Sequence, residues 1–387
     1  MSEFRMPSLG ADMDAGTLVE WHIQPGDTVK RGQVVAVVET QKGAIEVEIW
    51  EDGVIDRLVV QPGAKVPVGA VLAELRGAGE HAAPAGQTPL ADVAVPASPV
   101  ASAPSSGRQK ISPSARRLAQ ELGVDPATVQ AQATDGVISR ADIERAAASN
   151  ALPASALPDA GDWRLQMRKA IAAAMSRSKR EIPHYYLATD IDVTAMLDWL
   201  AAENAKRSVA ERLLPAVPLM KAVALALREV PELNGFWIDG EFRPSAAIHL
   251  GMAIAMRGGG LVAPAIHDAD HKSCNELMAA LRDLIARVRG GRLRSSEMAD
   301  PTVTLTSLGD QGVAQVFGVI YPPQVAIIGL GRIDGRPWAL AGTVGVRQVL
   351  TASLAADHRV SDGHRGALFL AALDRRLQNP AELDMTS

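Results

Sequence analysis

Two short stretches hold side chains placed as if for chemistry. In VVETQKGAIEVE, Val37 to Glu48, a single amine, Lys42, stands between two strand-like runs. Val37, Glu39, Ile45 and Val47 give the apolar/polar alternation of a half-buried hairpin, with Gln41-Lys42-Gly43 at its turn. A lysine in a turn is ordinarily a solvated surface residue. On the tip of a rigid finger it is also an amine that a modifying enzyme can reach. In AADHRVSDGHRG, His358 follows a strand pattern and precedes a helix with one apolar face. A lone histidine at a strand end is usually structural, but the imidazole titrates near neutrality and can accept a proton from a reacting group.

The elements that must hold these residues fall into separate modules. The first contains a repeat: Gly16–Val37 aligns without gaps on Gly53–Glu74, at an offset of 37 residues. Shared QPG turns (Gln24–Gly26 and Gln61–Gly63) and the shared Gly32 and Gly69 set the register. Two matching sets of short strands predict an all-β sandwich or flattened barrel with pseudo-twofold symmetry over residues 1–76, with Lys42 at its apex. Residues 77–110 and 147–162 are rich in Ala and Pro, poor in large apolar side chains, and are expected to be linkers. Between them, residues 111–146 carry two short helical patterns, one opened by Ser112-Pro113, the other by Ser139 with Asp142.

Residues 163–387 mix helices with strands, the pattern of an α/β domain with helices against a sheet. Met167–Glu181 predicts a basic helix stopped near Pro183, and Leu219–Val230 a buried one. Lys272–Gly291 predicts an amphipathic helix closed by two glycines. IHLGMAIAM, LVAPAIH, TVTLTSL, QVAIIGLGRI and VRQVLTASLAA read as strands.

Composition narrows the function. The 387 residues carry a net charge of −5, which argues against a nucleic-acid partner, and no apolar run approaches the length of a membrane span. One cysteine, Cys274, excludes an internal disulfide and fits a reducing compartment, so a cytoplasmic protein is expected. Nothing in the pattern calls for a metal.

The first module resembles the lipoyl domains of 2-oxo acid dehydrogenase complexes, and ETQKGAIEVE resembles their lipoylation site. The resemblance implies lipoate in amide linkage on Lys42. Biotin carriers share the fold but typically have methionines on both sides of the lysine, unlike Gln41 and Gly43. The commonest lipoyl version has Asp and Ala at those two places. The middle module resembles the peripheral subunit-binding domain of the same complexes, which implies docking of the partner enzymes through Arg116 and Arg117. Val137 stands where that family has an arginine, so weakened docking is expected, because an aliphatic side chain makes no charge-assisted bond.

Asp357–Gly363 (DHRVSDG) matches the HxxxDG motif of the dihydrolipoamide acyltransferases and their chloramphenicol-acetyltransferase relatives. RLQMRKAIAAAMSRSKREIPHYYL, PELNGFW, GLVAPAIHDADHKS, TVTLTSLG and YPPQVAIIGLGRI resemble further family blocks in the family's order, so the resemblance covers essentially the whole chain. It implies transfer of an acyl group from lipoyl-lysine to coenzyme A. His358 is the base that makes the attacking thiolate. Thr306 stands where the family has a hydroxyl donor, commonly serine, to the developing oxyanion, with Ser307 a weaker substitute. Asp362 is expected to order the loop by ion pairing, with Asp357 and Arg359 sharing that scaffolding. Since coenzyme A brings the thiol, Cys274 is expected to be a small core residue.

Acetyl, from pyruvate or acetoin, is the expected acyl group, in a 2-oxo acid or acetoin dehydrogenase complex, with branched-chain acyl and succinyl open. A non-catalytic lipoyl-bearing scaffold subunit is the alternative, disfavoured by His358, Asp362 and Thr306. The implied partners are the decarboxylase and dihydrolipoamide dehydrogenase components. The implied assembly is a homotrimer with sites between subunits. Family cores are often built into larger shells of trimers, which stays open here, and Asp384, placed where family members often have aliphatic residues, is expected to weaken the contact between trimers.

Overall fold

The computed structural model describes residues 2–8, 13, 15–40, 43–76, 110–111, 115, 137–139, 142–143, 160–256 and 260–384. They group into two compact units: Met1–Glu80 with Ala160–Ser387, and His81–Asp159. Among the described residues no helix is long and apolar enough to cross a membrane.

The N-terminal module is two facing sheets. One runs in the order Ser2–Arg5, Val71–Arg76, Gly53–Leu58, Thr28–Val29; the other Gly43–Glu48, Val34–Thr40, Ala15–Trp21, Lys65–Pro67. Shifting by 37 residues carries Ala15–Trp21 onto Gly53–Leu58, Thr28–Val29 onto Lys65–Pro67 and Val34–Thr40 onto Val71–Arg76, so each sheet repeats the other's order. The core between them is Phe4, Leu18, Ile45, Val47, Leu72 and Leu75. The hairpin alternation differs by one residue from the expected one. A bulge between Val34 and Ala36 turns Val38 fully inward and leaves Val37 half-buried.

In the second unit, the described residues show Lys110–Ile111 paired in parallel with Val137–Ile138. Ser139 donates from its amide and hydroxyl to Asp142 Oδ2 at 3.0 and 2.7 Å, the cap expected there. Arg116 and Arg117 lie outside the described residues.

The C-terminal region is built on a six-stranded sheet: His184–Asp192, Thr343–Asp357, Ala326–Leu340, Val303–Ser307, Leu250–Met252 and Ala265–Ile266, in that order. Its inner strands are nearly continuous apolar runs because helices cover them. Helix Ala216–Glu229 is buried from Val217 to Leu227 and packs on helix Gly363–Gln378. Lys221 on that helix is buried too, and its ammonium is satisfied by the carbonyls of Asp270 (2.6 Å) and Lys272 (2.7 Å). The amphipathic helix is Cys274–Arg289, capped by Ser273. Cys274 is fully buried, and burial pushes its thiol up to about 12, the inert core residue expected.

The two central strands exceed their expected length. Each has 15 residues, and they meet at Ala341-Gly342. The outer arms, with Val344 and Val346 exposed, lack the apolar continuity that marks a buried strand. Asp384, exposed on the single chain, accepts the Cys274 amide at 2.7 Å, capping a helix of its own chain.

Gly331 lies where the central sheet meets the chain at Ala314, and an added Cβ would sit 1.8 Å from the Ala314 carbonyl oxygen. Gly331→Ala should therefore destabilise this region by about 2 kcal/mol, as overpacking does. Gly345→Ala, where the added carbon meets nothing within 4 Å, should leave the melting temperature nearly unchanged. Thermal melts of the two variants against the parent check this.

Candidate active site

The turn after strand Thr343–Asp357 is assembled around one buried carboxylate. The Asp357 amide donates to Val325 O at 2.9 Å, so the neighbouring strand holds its backbone. Its carboxylate, fully buried, accepts from the Arg359 amide (2.9 Å), Nε (2.9 Å) and Nη2 (2.6 Å). The Asp357 carbonyl accepts from Val360 and Ser361, at 3.0 and 3.1 Å, closing the turn. Arg359 in turn lies over the Trp237 ring, 4.5 Å from its centre. An arginine fixed by a bidentate pair and an aromatic face cannot swing freely, so the turn has one shape.

His358 stands between these two residues. Its amide donates to Pro183 O at 2.9 Å, and its ring meets Tyr185 edge-on at 5.3 Å. The Tyr185 hydroxyl lies 2.9 Å from Ser361 Oγ, which ties the ring's neighbour to the same turn. His184, paired across from Asp357, lies 2.9 Å from Ile182 O through Nδ1 and accepts the Ile320 amide at Nε2, 3.1 Å away. Those partners suit only the neutral ring with its proton on Nδ1, and burial lowers its pKa accordingly. His184 and Tyr185 carried no separate signal in the sequence beyond the IPHYYL block.

Asp362 has a different role from the one expected. It is the N-cap of helix Gly363–Gln378, accepting the Arg365 amide at 3.0 Å. That bond, with the His364 amide and the charges of His364 and His358, holds its carboxyl below the usual range. The ion pair that orders the loop belongs to Asp357 and Arg359 instead.

Thr306 is not brought to His358 within the chain. It lies opposite Gly329, which lies opposite Ser353. Ser353 is five residues before His358 on its strand, and two strand spacings separate that strand from Thr306. At ~3.3 Å per residue and ~4.8 Å per strand the two backbones are roughly 19 Å apart. His358 is itself exposed.

In the N-terminal module, Thr40 pairs with Gly43, and Gln41 and Lys42 come between them in the sequence. Both lie outside the described residues. Gly43 has φ +110°, a conformation that side chains with a Cβ rarely adopt, and it belongs to the strand, not the turn.

Asp362→Asn should keep the cap, since an amide oxygen accepts the same backbone bond, and should keep most of the activity. Asp362→Ala should lower both the melting temperature and the turnover rate. The sign with pH follows from the lowered carboxyl. The aspartate's stabilisation is present above its unfolded value of 3.8 and is lost as pH falls through the lower folded value, a loss Asp362→Asn should not show. Melting curves across acid pH, with turnover at neutral pH, test both statements.

Known proteins resemble the chain in sequence and fold. The family model described as "2-oxoacid dehydrogenases acyltransferase (catalytic domain)" matches residues 164–385. "Biotin-requiring enzyme" matches 2–75 and "e3 binding domain" matches 109–144. The chain is 30% identical, over 98% of both chains, to the dihydrolipoyllysine-residue acetyltransferase component of the pyruvate dehydrogenase complex of Zymomonas mobilis subsp. mobilis. It is also 30% identical, over 98% of both, to the lipoamide acyltransferase component of the branched-chain alpha-keto acid dehydrogenase complex of Bacillus subtilis.

Among solved structures, Azotobacter vinelandii dihydrolipoamide acetyltransferase is 26% identical with a TM-score of 0.54, covering 57% of this chain and 91% of that one. That structure concerns the roles of a serine, a histidine and an asparagine in its mechanism, the histidine 52 residues after the serine and the asparagine four after the histidine. Thr306, His358 and Asp362 stand at the same spacings. The chain belongs to the 2-oxoacid dehydrogenase acyltransferase family.

Proposed function

We propose that the chain transfers an acetyl group from lipoyl-lysine at Lys42 to coenzyme A, as the core component of a 2-oxo acid dehydrogenase complex. Lipoate supplies an acyl thioester on a long arm, and coenzyme A supplies the accepting thiol. His358 takes the proton of the coenzyme A thiol as its sulfur attacks the acyl carbon, and returns it to the dihydrolipoyl sulfur that leaves as its bond to that carbon breaks. Asp357, through Arg359, holds the turn that presents His358, and Asp362 anchors the turn to the helix behind it. Thr306 donates to the oxygen on which negative charge develops. The division into carrier (1–76), partner-docking (111–146) and catalytic (163–387) modules belongs to this reading, as do Arg116 and Arg117 as docking contacts. The partners are the decarboxylase and dihydrolipoamide dehydrogenase components, and the compartment is the cytoplasm. Acetyl is the group handled by the Zymomonas relative.

The observation that carries the reading is the separation of Thr306 from His358. A hydroxyl that must bond the reacting oxygen cannot serve a base on a turn roughly 19 Å away in the same sheet, where the spacing is set by strand register. A second copy supplies it in a homotrimer, where His358 of one subunit faces Thr306 of the next and each exposed histidine is covered.

Mixed trimers test this. His358→Ala and Thr306→Ala should each abolish most transfer to coenzyme A while keeping the melting temperature. Co-assembled in equal amounts, they should regain about one quarter of wild-type activity, because a site is intact when each of two adjacent subunits contributes its unmutated residue, with odds of about one half each. No recovery would place both residues in one subunit's site and sink the shared-site reading. Separately, intact mass should show a lipoyl adduct that Lys42→Arg removes.

A further inference from the structure

The carrier module's second sheet is extended by a strand from outside it. Leu293–Arg294 of the C-terminal region adds in parallel to the edge strand Gly43–Glu48, with Ile45 opposite Leu293 and Glu46 opposite Arg294. Next to this pairing, Glu48 is only 7% exposed. Its amide donates to Ser295 Oγ at 3.1 Å, and its carboxylate accepts the Ser296 amide at 3.3 Å and the Ser296 hydroxyl. Ser295 is fully buried. Glu297 braces the segment from the catalytic side through Arg287, Nη1 to Oε2 2.5 Å. Met298, just beyond, packs against the hydrophobic cores of both regions.

The contact discriminates between two related edges. By the internal symmetry, Ser2–Arg5 is the counterpart of Gly43–Glu48, each flanking the outer strand of its sheet. Among the described residues no fifth strand adds to Ser2–Arg5, whose Glu3 and Arg5 pair with each other in solvent. The edge taken is the one that begins one residue after Lys42. A carboxylate removed from water needs its bonds replaced, and here the Ser296 amide and hydroxyl supply them, while Ser295 Oγ accepts the Glu48 amide, at the one position where the strand ends. Strand addition supplies affinity through the backbone, and Glu48 supplies selectivity.

We propose that Leu293–Met298 is the catalytic region's docking surface for its own carrier module, read through the backbone of Gly43–Glu48 and the carboxylate of Glu48. The inference rests on the acyl-transfer reading above and specifies how that reaction recognises a carrier beyond the lipoyl arm. Docking grips the strand that continues from the arm's root, so it orients the arm as well as retaining it. The pairing spans two residues on each side, a contact short enough for a carrier that must leave to be reloaded.

Two measurements on the full-length protein test it. In the first, Glu46→Cys with Arg294→Cys is compared with Glu3→Cys with Arg294→Cys under mild oxidation, by intact mass and peptide mapping. The native Cys274 is buried and does not compete. The first pair should form a disulfide and the second should not; equal cross-linking of both would mean tethered collision and overturn the proposal.

In the second, acetyl-CoA is the donor, and the rate of acetylation of the chain's own reduced lipoyl group is compared with that of free dihydrolipoamide. Ser295→Ala with Ser296→Ala should slow the first about tenfold, through loss of effective concentration, and leave the second unchanged. Equal rates for the lipoyl group in variant and parent would overturn the docking surface. Absence of acetyl transfer to free dihydrolipoamide in the parent would instead overturn the reading that acetyl is the group transferred.

Discussion

Backbone register in the central sheet is the constraint on which the site depends. Antiparallel pairing of Ala326–Leu340 with Thr343–Asp357 delivers Asp357 to the sheet's end with its amide bonded to Val325, and there its carboxylate is sealed from water. Such a charge is tolerable only when fully bonded, and the Arg359 guanidinium and amide do that. His358 lies between the two ends of that ion pair, so its backbone has little freedom. The geometry of the candidate site is thus a by-product of satisfying one buried charge.

The same register separates the hydroxyl from the base. Pairing of Val303–Ser307 with Ala326–Leu340 sets Thr306 against Gly329, at the row of Ser353. No side-chain rotation spans the remaining distance, and sliding the strand by one residue would turn its buried face outward. The proposed site divided between copies follows from this separation, and it would cover the His358 that is exposed on a single chain.

Much of this was legible in residue types. The 37-residue repeat named the symmetry of the carrier, and the QPG turns set its register. Ser139 with Asp142 marked a helix start where the structure has the capping bonds. Apolar periodicity placed the buried helix Ala216–Glu229. Where local pattern misled, a specific non-local bond prevailed. A bulge exchanged Val37 for Val38 in the core, and Asp362 became a cap where an ion pair was expected. Each of these outcomes depends on a partner's position in space.

The sequence by itself determined which chemistry is available: a lysine at a hairpin tip, a histidine in an HxxxDG turn, a hydroxyl near a strand end, and modules separated by Ala/Pro-rich segments. These are properties of side-chain type and short-range spacing, and both survive without a fold. Only the tertiary structure decided that Thr306 and His358 lie apart, that Asp357 is the buried anchor, and that Glu48 meets Ser295 and Ser296. Those facts join residues far apart in the chain, and no periodicity or composition encodes such distances. They are set when whole strands and cores pack, because hydrogen-bond register and burial are satisfied for the sheet as a unit.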